Sequence, residues 1–120
     1  MGYAEFEVPD GLAETTYTAV EKARDTGELR KGTNEATKAI ERGNADLVVI
    51  ASDVEPEEII MHLPALCQEK DISYTFVPSK EELGLASGIN VQTAAIAICD
   101  AGNSDDELDE IQDKVEELSE

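Results

Sequence analysis

Apolar residues recur along this chain at two spacings, and the alternation between them lays out its elements. Residues 10–25 carry Leu12, Thr16, Ala19, Val20 and Ala23 at helical spacing behind Pro9-Asp10, with Asp10 as cap and Thr26-Gly27 as stop. Residues 29–31 read as a short strand. Gly32 then breaks the chain. Thr33 or Asn34 offers a side-chain oxygen to the orphan amides of a new helix, and Ala36, Ala39 and Ile40 form its inner stripe up to Gly43. Residues 46–51 are a near-continuous apolar run, as in a strand buried on both faces. Over residues 56–70 a longer helical pattern places Ile59, Ile60, Leu63, Leu66 and Cys67 inward. Asp53 caps it, Pro56 suits its first position and Pro64 bends or splits it.

A third strand follows at 72–77. Ser79 with Glu82 is a capping box that opens a short helix, and Ser104 with Glu107 is a second one. Between them, residues 83–91 (LGLASGINV) read as a Gly-punctuated loop whose apolar side chains are either exposed for a ligand or, for Leu83, Ala86 and Ile89, packed on the core, and 94–99 as a fourth strand. The C-terminal helix turns Leu108, Ile111, Val115 and Leu118 inward. Residues 1–9 form an arm anchored by Phe6 and Val8. Helices alternating with buried strands predict an α/β fold in one domain over residues 1–120: a three-layer α-β-α sandwich around a small mixed four-stranded sheet. A chain of 120 residues buries roughly two-thirds of its unfolded surface, enough for a single core.

Charge complicates this ordinary picture. The chain has 28 Asp and Glu against nine Lys and Arg, a formal net charge of -19, and the acids punctuate every predicted helix. From position 100 onward there are ten acids and one base, Lys114. The regular apolar runs exclude disorder. A fold this acidic repels nucleic acid at ordinary ionic strength. Near 1 M salt the Debye length falls to about 3 Å, and dispersed acids then hardly repel a distant polyanion. The composition is what a salt-rich cytoplasm favours and points to a halophilic source. An acidic module that docks a basic protein partner is the rival reading.

Cys67 and Cys99 stand 32 residues apart beside a single His62. Zinc asks for about four ligands, so neither a structural metal site nor any other cofactor is expected. Both cysteines read as small buried hydrophobes. No segment approaches the roughly 20 apolar residues that span a bilayer, and the expectation is a soluble cytoplasmic protein with no membrane partner.

Against that acidic background, Arg30, Lys31, Lys38 and Arg42 place four of the nine bases within thirteen positions. They bracket the helix start at 32–38. Such a start aims free N–H groups and partial positive charge outward. Asn34, Glu35 and Lys38 at i, i+1 and i+4 bring an amide, a carboxylate and an ammonium to the first turn and a half. By pattern alone, a well-capped helix with a solvated charged face is the favoured reading. In open α/β sheets ligands sit beyond one edge of the strands, where segments 32–38, 52–56 and 84–92 are expected to meet. A small nucleotide-using enzyme fits less well, because the chain has neither G-x-x-x-x-G-K-[ST] nor a paired base and nucleophile.

The motifs KGTNEATK at 31–38, ERG at 41–43, DVEPEEI at 53–59, HLP at 62–64 and LGLASG at 83–88 together resemble the archaeal kink-turn-binding ribosomal proteins of the L-seven-Ae family, over nearly the whole chain. The resemblance implies an α-β-α sandwich with no catalysis of its own. It binds RNA rather than DNA, at kink-turns, in which a three-nucleotide bulge beside tandem sheared G·A pairs bends the duplex. The implied partners are large-subunit ribosomal RNA, box C/D and box H/ACA guide RNAs, RNase P RNA, and the proteins of those particles. Carried onto this sequence, Asn34, Glu35 and Lys38 contact the G·A guanines. Gly32 and Thr33 let the backbone approach, and Lys31 and Arg42 meet phosphates. Glu55 and Lys80 flank the extruded nucleotide, and the tip Ile89, Asn90, Val91 packs on it. Glu35 can only accept, so it demands a base donor and rejects phosphate. Archaeal relatives commonly carry an acid where this chain has Asn90, and their surfaces are more basic.

Overall fold

The structure is a computed structural model that describes residues 10–119, with side chains for 11–115. The arm at 1–9 and the side chain of Leu118 lie outside that range. The elements are α1 (Asp10–Thr26), β1 (Glu28–Lys31), α2 (Thr33–Glu41), β2 (Leu47–Ala51), a 3-10 turn (Glu57–Ile59), α3 (His62–Lys70), β3 (Tyr74–Val77), α4 (Lys80–Ala86), β4 (Ala95–Asp100), a second 3-10 turn (Gly102–Ser104) and α5 (Asp105–Ser119).

The strands lie in the order β1-β4-β2-β3. β4 is antiparallel to both of its neighbours, and β2 runs parallel to β3 with Val48 opposite Tyr74. The mixed four-stranded sheet expected from the sequence is therefore present. All of β2 and β3 is buried, in keeping with their unbroken apolar runs. β1 is an edge strand, with Glu28, Arg30 and Lys31 exposed and an ion pair between Arg30 and Glu28. Charge on that edge opposes pairing with another strand. Helices α1, α4 and α5 pack together on one face, and α2 with α3 on the other. The inner residues expected of α1, α2 and α5 are buried as far as they are described.

Three local expectations are corrected. The helix anticipated over 56–70 does divide, but before Pro64 rather than at it. A 3-10 turn ends at Ile59, and α3 opens at His62, so Pro64 falls in the first turn, where an amide has no intrahelical acceptor to lose. Ile59 consequently faces outward, 42% exposed. Residues 83–86 are helical rather than looped, and Leu83 and Ala86 are buried. Half of the capping box at Ser79 is formed, its hydroxyl accepting from the Glu82 amide at 3.1 Å, while the Ser79 amide donates to the Tyr17 hydroxyl in place of Glu82. At Ser104 the box is not formed. That hydroxyl turns back to donate to the Ala101 carbonyl at 2.6 Å, and Glu107 takes Lys22 of α1 instead.

One end of the sheet gathers the close of β1, β2 and β3 and the opening of β4. Backbone hydrogen bonds join what leaves them: Gly32 N–H to Ala95, Ala51 N–H to Ala94 and Ser52 N–H to Val77, each 2.8 Å, and Thr93 N–H to Lys80 at 3.1 Å. Segments 32–38, 52–56 and 84–92 therefore all adjoin this end of the sheet.

Candidate nucleic-acid interface

α2 follows β1 with a single residue between them. Gly32 makes that junction at φ 96°, ψ 157°, in the left-handed region that L side chains resist. Gly32 is also the cap residue, and it has no side chain to close the turn. Thr33 and Asn34 are already helical, so the expectation that one of them caps is corrected. The amide of Asn34 is exposed, and the first turn keeps its outward N–H groups.

A shallow groove of about 670 Å³ lies over this junction, lined by Lys31, Gly32, Thr33, Asn34, Glu35, Ile59 and His62. Five of the sequence-derived residues meet there. Lys38 joins through Glu35, its ammonium 3.5 Å from that carboxylate. Arg42 does not belong to the same spot. It is the C-cap of α2, eight residues and about 12 Å along the helix from Asn34. Ile59 and His62 are the additions. Their signal in the sequence lay in the motifs DVEPEEI and HLP, which the helical reading of 56–70 outweighed by turning Ile59 inward.

A second groove of about 600 Å³ is lined by Glu81, Leu85, Asn90, Val91 and Gln92. It takes in two of the predicted tip residues and exposes the side chains of Leu85 and Val91. Ile89 is half-buried, its amide donating to Gly84 at 3.1 Å. A Cβ at Gly84 would fall on the Val91 carbonyl, so only glycine lets the tip fold back on α4. From α1, Arg24 donates to the Ala86 carbonyl at 3.3 Å and lays its chain under Gly88. Leu85 and Gln92 fall within the segment 84–92 expected at this edge, whereas Glu81, in the predicted helix after Ser79, had no separate signal in the sequence.

Segment 52–56 is tied to α4 by Asp53, whose carboxylate accepts from the Lys80 amide at 3.0 Å. Asp53 thus caps α4 rather than the turn after Pro56, a further correction. Glu55 is exposed two residues beyond it, and Lys80 is half-buried. Tyr17 reaches the same helix start: its hydroxyl donates to the Ser79 carbonyl at 3.3 Å and accepts from the Ser79 amide at 3.2 Å. Burial pushes the Tyr17 phenol above its ordinary pKa, and Glu82 and Asp53 add to the shift while the Ser79 hydrogen bond opposes it.

The cysteines lie apart from both grooves. Burial pushes the Cys67 thiol up to about 12, which leaves it a neutral hydrophobe. Cys99 is only half-buried at the end of β4, its pKa raised by burial and partly offset by Arg30. No described helix is long and apolar enough to cross a membrane.

Over 116 residues, 97% of both chains, the sequence is 56% identical to the large ribosomal subunit protein eL8 of Haloquadratum walsbyi. The fold superposes on the Giardia lamblia 15.5kD RNA binding protein with a TM-score of 0.87, at 35% identity and 92% coverage of each chain. Residues 14–108 match the Ribosomal protein L7Ae/L30e/S12e/Gadd45 family, and the chain belongs to that family.

Proposed function

We propose that this protein recognises and stabilises kink-turns in large-subunit ribosomal RNA and in box C/D and box H/ACA guide RNAs, with RNase P RNA a further target. It nucleates ribonucleoprotein assembly in a salt-rich cytoplasm and leaves any chemistry to other components. The observation that carries this reading is the groove at the start of α2. There an uncapped Asn34, the Glu35 carboxylate and the Lys38 ammonium stand together on a backbone turn that only glycine makes comfortably. Such a set matches a base edge offering both donors and acceptors, and Glu35 makes it a poor cradle for phosphate alone. The ribosomal and RNA-binding names of the two relatives support the same conclusion. The apolar groove at Leu85 and Val91 supplies a surface on which an unstacked base can lie.

The deciding experiment compares binding of a kink-turn and of a control with its G·A pairs changed, both in molar potassium chloride. A strong preference for the kink-turn is expected. Equal affinity would remove the reading.

A further inference from the structure

His62 opens α3, and its Nε2 lies 2.9 Å from the Thr37 hydroxyl of α2. Thr37 has one proton to give. Its oxygen is also 2.7 Å from the Thr33 carbonyl, which can only accept, so the Thr37 proton goes there. The remaining contact must then be filled from the other side, and the imidazole must carry its proton on Nε2 to donate to Thr37. The result is a relay from α3 through Thr37 to Thr33, the first residue of α2 and a wall of the groove that His62 itself lines.

Gly32, the cap residue, provides no side chain to fix this turn. The relay is a fixing device from outside the helix. We propose that His62 is a positioning residue for RNA recognition: by donating Nε2–H to Thr37 it holds the first turn of α2 in the orientation that presents Asn34 and Glu35. This rests on the RNA-binding reading given above.

The test has one arm without RNA and one with it. In the free protein, imidazole nitrogen chemical shifts report the tautomer. Amide exchange at Ala36 and Thr37 reports the stability of the turn. The proton is expected on Nε2, and exchange is expected to quicken in His62→Leu and Thr37→Val. In the RNA arm these two variants should bind a kink-turn about fivefold more weakly, the loss of one hydrogen bond. His62→Gln, which keeps a donor within reach of Thr37, should recover most of that affinity, as should Thr37→Ser. The inference is overturned by a neutral imidazole protonated on Nδ1, by His62→Leu binding within twofold of the parent, or by His62→Gln falling as far as His62→Leu. If the parent protein does not distinguish a kink-turn from its control, the RNA reading fails. The tautomer and exchange results still decide whether the clamp exists.

Discussion

The Lys38 ammonium stands 3.5 Å from the Glu35 carboxylate, three residues earlier on α2, and both side chains are about half exposed. An exposed helical pair of this kind contributes only about 0.3–0.5 kcal/mol. A ligand therefore separates the two at little cost. Glu35→Gln is expected to reduce the preference for a kink-turn over its G·A-altered control by about tenfold, the worth of one specific base contact. Arg42→Ala, at the far end of the helix, should weaken both RNAs alike by a few-fold. Titration of each variant with both RNAs checks the split.

Few cations are placed to meet phosphate. With Lys31 and Arg42 as the phosphate contacts, the plot of log affinity against log salt should fall no more steeply than about -2. A basic homologue measured beside it should show the steeper line. Equal slopes would mean that phosphate attraction, rather than base reading, dominates here.

Gly84 is where the tip and α4 touch backbone to backbone. Gly84→Ala should cost about 1–3 kcal/mol, because the Val91 carbonyl has to move and cannot rotate away. Urea unfolding gives that figure directly. Kink-turn affinity should fall as well, whereas Gly11→Ala, with open space around its Cβ in α1, should leave affinity unchanged and stability equal or slightly raised.

Asp46 carries a carboxyl pushed above the ordinary range by burial and by Asp100 and Asp105. The fold therefore holds this proton more tightly than the unfolded chain does. The stability it contributes is complete below the unfolded value and is lost as pH rises through the folded one. Asp46→Asn removes the penalised charge, so the thermal midpoint at pH 7 should rise by about 2 °C in low salt. The gain should vanish as pH falls below the ordinary carboxylate range and shrink in molar potassium chloride. A loss at pH 7 would contradict the assignment.

The strands were legible because β2 and β3 are buried on both sides and their apolar runs admit no other use. The start of α2 was placed correctly, yet its cap was misassigned. Capping chemistry favours Thr33 and Asn34, but the backbone needs positive φ one residue earlier, and that demand decides the boundary. Asp53 was misassigned for a different reason: its acceptor role is local in the sequence and long-range in the fold, reaching Lys80 across the end of the sheet. His62 escaped the candidate site because its partner, Thr37, is on another helix. The placement of segments 32–38, 52–56 and 84–92 at one end of the sheet did follow from the strand pattern, since parallel β2 and β3 must release their chains at the same end.

The backbone hydrogen bonds that fasten Gly32 to Ala95, Ser52 to Val77 and Thr93 to Lys80 leave the protein side of the contact already built. On the proposed reading, the folding work then falls to the RNA. On that reading, the groove fits the bent form of the RNA and favours it over any extended one. At a free protein concentration one hundred times the dissociation constant, that selection biases the RNA ensemble by about 2.7 kcal/mol. The protein would thus act as a conformational ballast for its RNA, deciding which shape later components meet without changing its own.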